Sequence, residues 1–246
     1  MSSNSSRLTL RSLLDLMSSG AVIVAAAALV HSLYRNADGT SAGALDPQVP
    51  SEPVAVDGAP VRGSERAETI VIVYSDFQCP FCARFARDVL PELERRYLAR
   101  GQVAMAFRHL PLDIHPLAVP AAISAECAGR QNQFWEMHDQ LFAVGGITEE
   151  VLQTLPRLLG LDMAAFDKCL KDDSVRARVQ ASVDEAGVLG IRATPTFLLG
   201  TRLADGRIKV TQAIAGARSI DAFVKQLDSV LQRDSATAGL WRRLFS

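Results

Sequence analysis

The stretch TIVIVYSDFQCPFC, residues 69–82, constrains the fold more than any other part of the chain. Its first half is a run of β-branched and aromatic residues with no polar alternation, which predicts a strand buried on both faces. Its second half puts Pro80 where a helix begins, a first-turn position at which the missing N–H has no partner to lose. From there Cys82, Phe85, Ala86, Val89, Leu93 and Tyr97 recur at steps of three and four. That is one apolar stripe on a helix, which Pro91 is expected to kink and Gly101 to end. QVAMAFRHL, 102–110, reads as a second strand. Strand, helix and strand in this order form a βαβ unit, so the two strands are expected to run parallel.

The remainder completes a mixed α/β pattern. Between His115 and Gly190 the periodicity is helical, with breaks near Gly145-Gly146 and Gly160 and with Pro116 suited to a first turn. TPTFLLG, 194–200, and RIKVTQAIAG, 207–216, are separated by a loop holding Asp205-Gly206 and predict an antiparallel pair. A last helix is expected at about 219–232, followed by a frayed tail at 233–246 in which Trp241, Leu244 and Phe245 are free to dock on the domain or on a membrane.

With 246 residues and 48% hydrophobic content, the chain is long enough for a substantial core. Its 26 Lys+Arg nearly balance 27 Asp+Glu and no basic block occurs, which sets nucleic-acid binding aside. The N-terminus departs from this average. Arg7 and Arg11 precede an apolar stretch, and Leu13 to Leu33 taken as a helix would span about 30 Å, the hydrocarbon thickness of a bilayer. A cleaved signal peptide and an uncleaved anchor both export the downstream domain. For cleavage, Ala42-Gly43-Ala44 lies too far beyond the apolar core and only Val30-His31-Ser32 is well placed, so the anchor is favoured, with residues 1–12 cytoplasmic and 13–35 in the membrane. Asp15 and His31 weigh against a bilayer fit, and a buried helix of a cytosolic domain is the remaining reading. Residues 36–65 carry Pro47, Pro50, Pro53 and Pro60 without periodicity and read as a flexible tether. A G-x-S-x-G pattern at 39–43 lacks the flanking strand and helix that a nucleophile elbow requires.

The four cysteines divide into a close pair and a distant one. Cys79 stands at a helix N-terminus, where free backbone N–H groups and the macrodipole favour a thiolate, while Cys82 lies one turn inward on the apolar stripe. Cys79 is therefore the expected exposed nucleophile and Cys82 the shielded resolving thiol. A zinc site would need further ligands, and His31, His109, His115 and His138 show no ligand spacing. A purely structural disulfide would close too small a loop to stabilise much, and a buried free pair is unusual in an exported protein. Redox activity is the best reading, with no metal. Cys127 and Cys169 each fall on the apolar face of a predicted helix and are expected to pair with each other, two separate buried thiols being the alternative.

Several stretches together, YSDFQCPFC, RHLPLDIHPLAVPAAISAECAG, FWEMHDQLF and GIRATPTFLLG, resemble the DsbA-like thiol:disulfide oxidoreductases of the thioredoxin superfamily over roughly residues 63–232. The resemblance implies a thioredoxin-like fold over 66–232, a mixed central sheet flanked by helices with a helical subdomain inserted at about 115–190. It makes Cys79 and Cys82 the active pair and Pro195 a cis-proline facing them, with Thr194 offering backbone groups to an extended substrate. Many thioredoxin-fold enzymes hold a buried acid six residues before the first active cysteine, and here that position is Val73. Asp76 is the nearest acid, read either as a proton relay for Cys82 or as an exposed turn residue. Phe77, Phe81 and Phe85 read as core and rim packing; at the rim, Pro80 and Phe81 join Thr194 as substrate-contact candidates.

The expected function is an exported, membrane-tethered oxidoreductase that introduces disulfides into secreted or periplasmic proteins, on the outer side of a bacterial inner membrane or free in the periplasm after cleavage. Its substrates would be reduced or misoxidised exported proteins. By resemblance its reoxidant would be a quinone-linked membrane thiol oxidase, and it would act as a monomer without a bound cofactor. A reductase or isomerase of the same fold is one alternative, although 36–65 is too short for the dimerisation domain of family isomerases. A redox-inert peptide-binding module is the other.

Overall fold

The computed structural model describes residues 47–244, with side chains described to residue 233. The segment 13–35 assigned to an anchor and the G-x-S-x-G pattern lie outside the described residues, as do the side chains of Trp241, Leu244 and Phe245. Among the described residues no helix is long and apolar enough to cross a membrane.

Five strands form one mixed sheet: β1 (Val61–Gly63), β2 (Thr69–Ser75), β3 (Val103–His109), β4 (Thr196–Arg202) and β5 (Ile208–Ala215), in the order β1-β3-β2-β4-β5. β2 pairs parallel with β3 and antiparallel with β4, so Val73 lies between Phe107 and Phe197. Every residue of β2 is buried. Its period-two alternation sorts Val71 and Val73 into one core layer and Ile70, Ile72 and Tyr74 into the other. This is a thioredoxin-like arrangement, a mixed sheet with helices on both faces.

The first layer holds α1, a continuous helical segment at 80–98, in which α-turns at Pro80–Arg84 and Leu90–Leu93 alternate with wider π-turns at Phe85–Val89 and Glu94–Leu98. The departure from a regular helix expected at Pro91 therefore takes the form of π-turns on both sides of it. Five helices separate β3 from β4: α2 (Ala118–Gly129), α3 (Phe134–Ala143), α4 (Glu149–Leu158), α5 (Met163–Leu170) and α6 (Asp173–Val188). α2 is lined with alanine and buried along nearly its whole length, as befits a helix enclosed on all sides. Cys127 of α2 and Cys169 of α5 are joined in a disulfide. α7 (Ile220–Leu244) closes the first layer through Phe223, Leu227 and Val230.

Two boundaries differ from the sequence expectation. The ordered domain begins before residue 66: Val54 and Ile208 exchange two backbone hydrogen bonds, Val54 and Val56 are buried, and β1 pairs antiparallel with β3. The segment covers an otherwise open edge of β3, but a three-residue strand among prolines is too short to show alternation. At the other end, α7 runs on to Leu244 instead of stopping near 232. Arg, Ala and Leu in that stretch sustain a helix without an apolar stripe to announce it.

Candidate active site

The end of β2 and the start of α1 set the positions of both candidate sulfurs. Cys79 is the N-cap residue of α1, with extended backbone, and Pro80 opens the first turn. Its backbone N–H is taken up by the carbonyl of Asp76, which closes the turn out of the strand. Cys82 follows one turn later and points into the first core layer. Both are free thiols.

Cys79 is less exposed than its place at a helix start suggests, at 4% against 1% for Cys82. The non-helical segment leading into β4 folds over it: the Thr194–Pro195 peptide is cis, and the Cys79 thiol donates to the Thr194 carbonyl at 3.4 Å. Burial alone would raise both thiols, yet they move apart. The pKa of Cys79 is lowered to about 5, chiefly because the Cys82 thiol donates to its thiolate, helped by the Thr194 side chain and by the backbone N–H groups of Cys82 and Phe81. Cys82 is pushed well above the ordinary thiol value, first by burial and then by the negative charge on Cys79. The pair thus holds one thiolate, at the outer sulfur, and one proton, at the inner.

Asp76 is not an exposed turn residue. It is 2% exposed, and its carboxylate accepts from the backbone N–H of Gln78 at 2.7 Å and of Leu112 at 2.9 Å, with His115 Nδ1 at 2.6 Å. Gln78 in turn accepts from the Leu117 N–H at 2.6 Å. These two side chains clamp the segment between β3 and α2 onto the turn that presents Cys79. Sequence reasoning missed the clamp because its partners lie more than thirty residues away; Pro116 and the helix start after it were the only local signal. Val73, the position that many relatives of this fold give to an acid, is buried in β2.

Of the three aromatics, Phe77 and Phe85 are in the core and Phe81 is 51% exposed at the rim, with the Arg84 guanidinium 5.5 Å from its ring centre. Phe77 stacks against Phe107 and lies tilted against Phe142, with His138 edge-on to it. Burial holds His138 below the ordinary imidazole value. Next to Cys79 opens a pocket of about 310 Å³, walled by Pro80, Ala83 and Arg87 of α1 and by Phe142, Gly146 and Ile147 across from them. Nothing in the sequence pattern singled out this second wall, the turn between α3 and α4, beyond its two glycines.

A family model described as thioredoxin matches residues 55–225. The chain is 37% identical over 189 residues to a protein named Na(+)/H(+) antiporter NhaA 1 from Salinispora arenicola, a match covering 73% of this chain and 28% of the antiporter. It therefore spans little more than a quarter of that relative's length. It is 26% identical over 158 residues to disulfide bond formation protein D of Bacillus subtilis, covering 60% of this chain and 70% of that one. In fold it is similar to the crystal structure of α-DsbA1 from Wolbachia pipientis, with a TM-score of 0.67 at 23% identity over 75% of this chain and 96% of the other.

Proposed function

The chain belongs to the thioredoxin family, as a DsbA-like member, and from that premise we propose that it is an exported, membrane-tethered oxidant that introduces disulfides into other proteins through Cys79 and Cys82. The observation that carries this reading is the opposite displacement of the two thiols, one held as thiolate near pH 5 and the other held protonated. Stabilising the thiolate stabilises the reduced pair, so the oxidised pair gives up its disulfide readily.

The exchange proceeds in two steps. A substrate thiolate attacks Cys79 Sγ, a new S–S bond forms, the Cys79–Cys82 bond breaks, and Cys82 leaves and takes up a proton. A second substrate thiolate attacks the substrate sulfur of this mixed disulfide and Cys79 leaves as a stable thiolate. Two substrate thiols become a disulfide, and the protein keeps the two electrons. The Thr194 carbonyl, no longer occupied by a Cys79 thiol, is free to accept from a backbone N–H of an extended substrate, with Pro195, Pro80 and Phe81 around it. In this scheme Asp76 acts by positioning, through its clamp on the turn, and, as the acid nearest in sequence to the pair, is the candidate for proton traffic at Cys82. A quinone-linked membrane oxidase is the proposed acceptor of the electrons. Arg7, Arg11 and the apolar stretch at 13–33 support membrane tethering, and so does the occurrence of a similar domain in a chain named for an antiporter.

The test is to mix the oxidised protein with a reduced, unfolded secreted protein and follow thiol loss. Stoichiometric oxidation is expected, with mixed disulfides accumulating through Cys79 in Cys82→Ala and none in Cys79→Ala. A protein that leaves the substrate thiols untouched would contradict the reading.

A further inference from the structure

The pocket beside Cys79 has one basic side chain. Among the described residues, Arg87 is the only ionisable side chain other than Cys79 along its wall; the rest is apolar, glycine or Gln78. The acidic residues nearest in sequence to this lining, Asp76, Asp88, Asp139 and Glu149, are not part of it. Arg87 also makes no hydrogen bond or ion pair among the described residues, whereas other arginines of this region are engaged: Arg95 and Arg96 with Glu92, Arg62 with Glu94 and Asp139, and Arg84 over the Phe81 ring. Cys79, Ala83 and Arg87 follow one another at four-residue steps and so share one side of α1. The small Ala83 leaves the path between sulfur and guanidinium open, and the opposite wall at Gly145 and Gly146 has no side chain to obstruct it.

We infer that Arg87 is a specificity-determining residue for the proposed reaction, selecting substrate segments with a carboxylate near the reacting cysteine. This rests on the oxidoreductase reading above and names its substrate class. Eight residue steps along the helix set Arg87 on the order of 12 Å from Cys79 along the axis, a span an extended peptide covers in roughly two to four residues once the arginine leans back toward the helix start. An Asp or Glu at that distance from the cysteine pairs with an unpartnered guanidinium, while the apolar pocket takes the side chain between them. A lysine there meets like charge.

The test uses the oxidised full-length protein and reduced two-cysteine peptides that differ only three residues from one cysteine, carrying Glu, Gln or Lys. Second-order rates of peptide oxidation are compared as ratios to the Gln peptide, which cancels general effects of a substitution on the pair. A nearby carboxylate also changes the peptide's own thiol, so the informative quantity is how the Glu/Gln ratio changes between wild type and variant. The ratio is expected to fall roughly two- to five-fold in Arg87→Gln, the size of an exposed ion pair, with the Lys peptide favoured in Arg87→Glu and the wild-type preference fading in high salt. Identical ratios in wild type, Arg87→Gln and Arg87→Glu would overturn the inference while leaving the oxidase reading standing. Failure to oxidise any of the three peptides would overturn both.

Discussion

At the scale of single residues, the proposed chemistry rests on Cys79 and Cys82 dividing a thiolate and a proton between them. Because the largest influence lowering Cys79 is the thiol of Cys82, removing that donor has a defined direction. Thiolate absorbance of the wild type is expected to titrate with a midpoint near 5, and Cys82→Ala to move it upward, toward but not reaching the free value of about 8.5, since the backbone donors remain. An unmoved midpoint would assign the shift to the helix start alone. Asp76 makes a different prediction. Asp76→Ala strands the Leu112 N–H and loosens His115 from the turn; the expected loss is about 1–3 kcal/mol of stability in denaturant unfolding, with the Cys79 midpoint little changed. The cysteine pair was legible in the sequence because a proline and a helix start are local signals. The burial of Asp76 and the covering of Cys79 by Thr194 were not, because both depend on partners brought in from distant elements.

At the scale of elements, β4 and β5 show how a local feature fixes the frame around the site. Their register shifts between Leu199 and Gly200, and a Cβ at Gly200 would lie 2.2 Å from the Lys209 carbonyl oxygen. Backbone cannot retreat from such a contact without reopening the ladder, so Gly200→Ala is expected to cost about 1–3 kcal/mol or more by equilibrium unfolding. A neutral result would mean that the two strands separate freely here. α2 and α5 are tied by Cys127–Cys169 across a sequence separation of 42, a closure for which the chain-entropy model gives roughly 4 kcal/mol as an upper figure. Replacing both with serine should lower the unfolding midpoint in denaturant. Alkylation of unreduced Cys79→Ser, Cys82→Ser protein should label no thiol, and two labelled thiols would contradict the bond. The long strands and helices were readable from periodicities of two and three to four. β1 and the residues leading to it were not, because three residues show no period and their reason to exist is the open edge of β3.

At the scale of the whole molecule, the two core layers on the faces of β2 hold the helix start, the Thr194–Pro195 segment and the Asp76 clamp in one place. The layer built on α1 receives the inserted helices, which supply the far wall of the pocket at Phe142, Gly146 and Ile147. The insertion is thus part of the pocket wall as well as of the core. A frame this enclosed keeps Cys82 protonated while its neighbour carries charge, and in the proposed reaction that asymmetry favours electron flow from substrate to the pair. The most direct test of the account is the reduction potential of the pair, measured by equilibration with glutathione across pH 6 to 8. While Cys79 is thiolate and Cys82 protonated, one proton accompanies two electrons, so the potential should fall by about 30 mV per pH unit. At pH 7 a thiolate with a pKa near 5 favours the reduced form about a hundredfold over one near 9, on the order of 60 mV. The account predicts a value above the roughly −270 mV of thioredoxin with that shallow slope. A potential at or below about −270 mV with a slope near 59 mV per pH unit would show two protonated thiols in the reduced pair and make the protein a reductase.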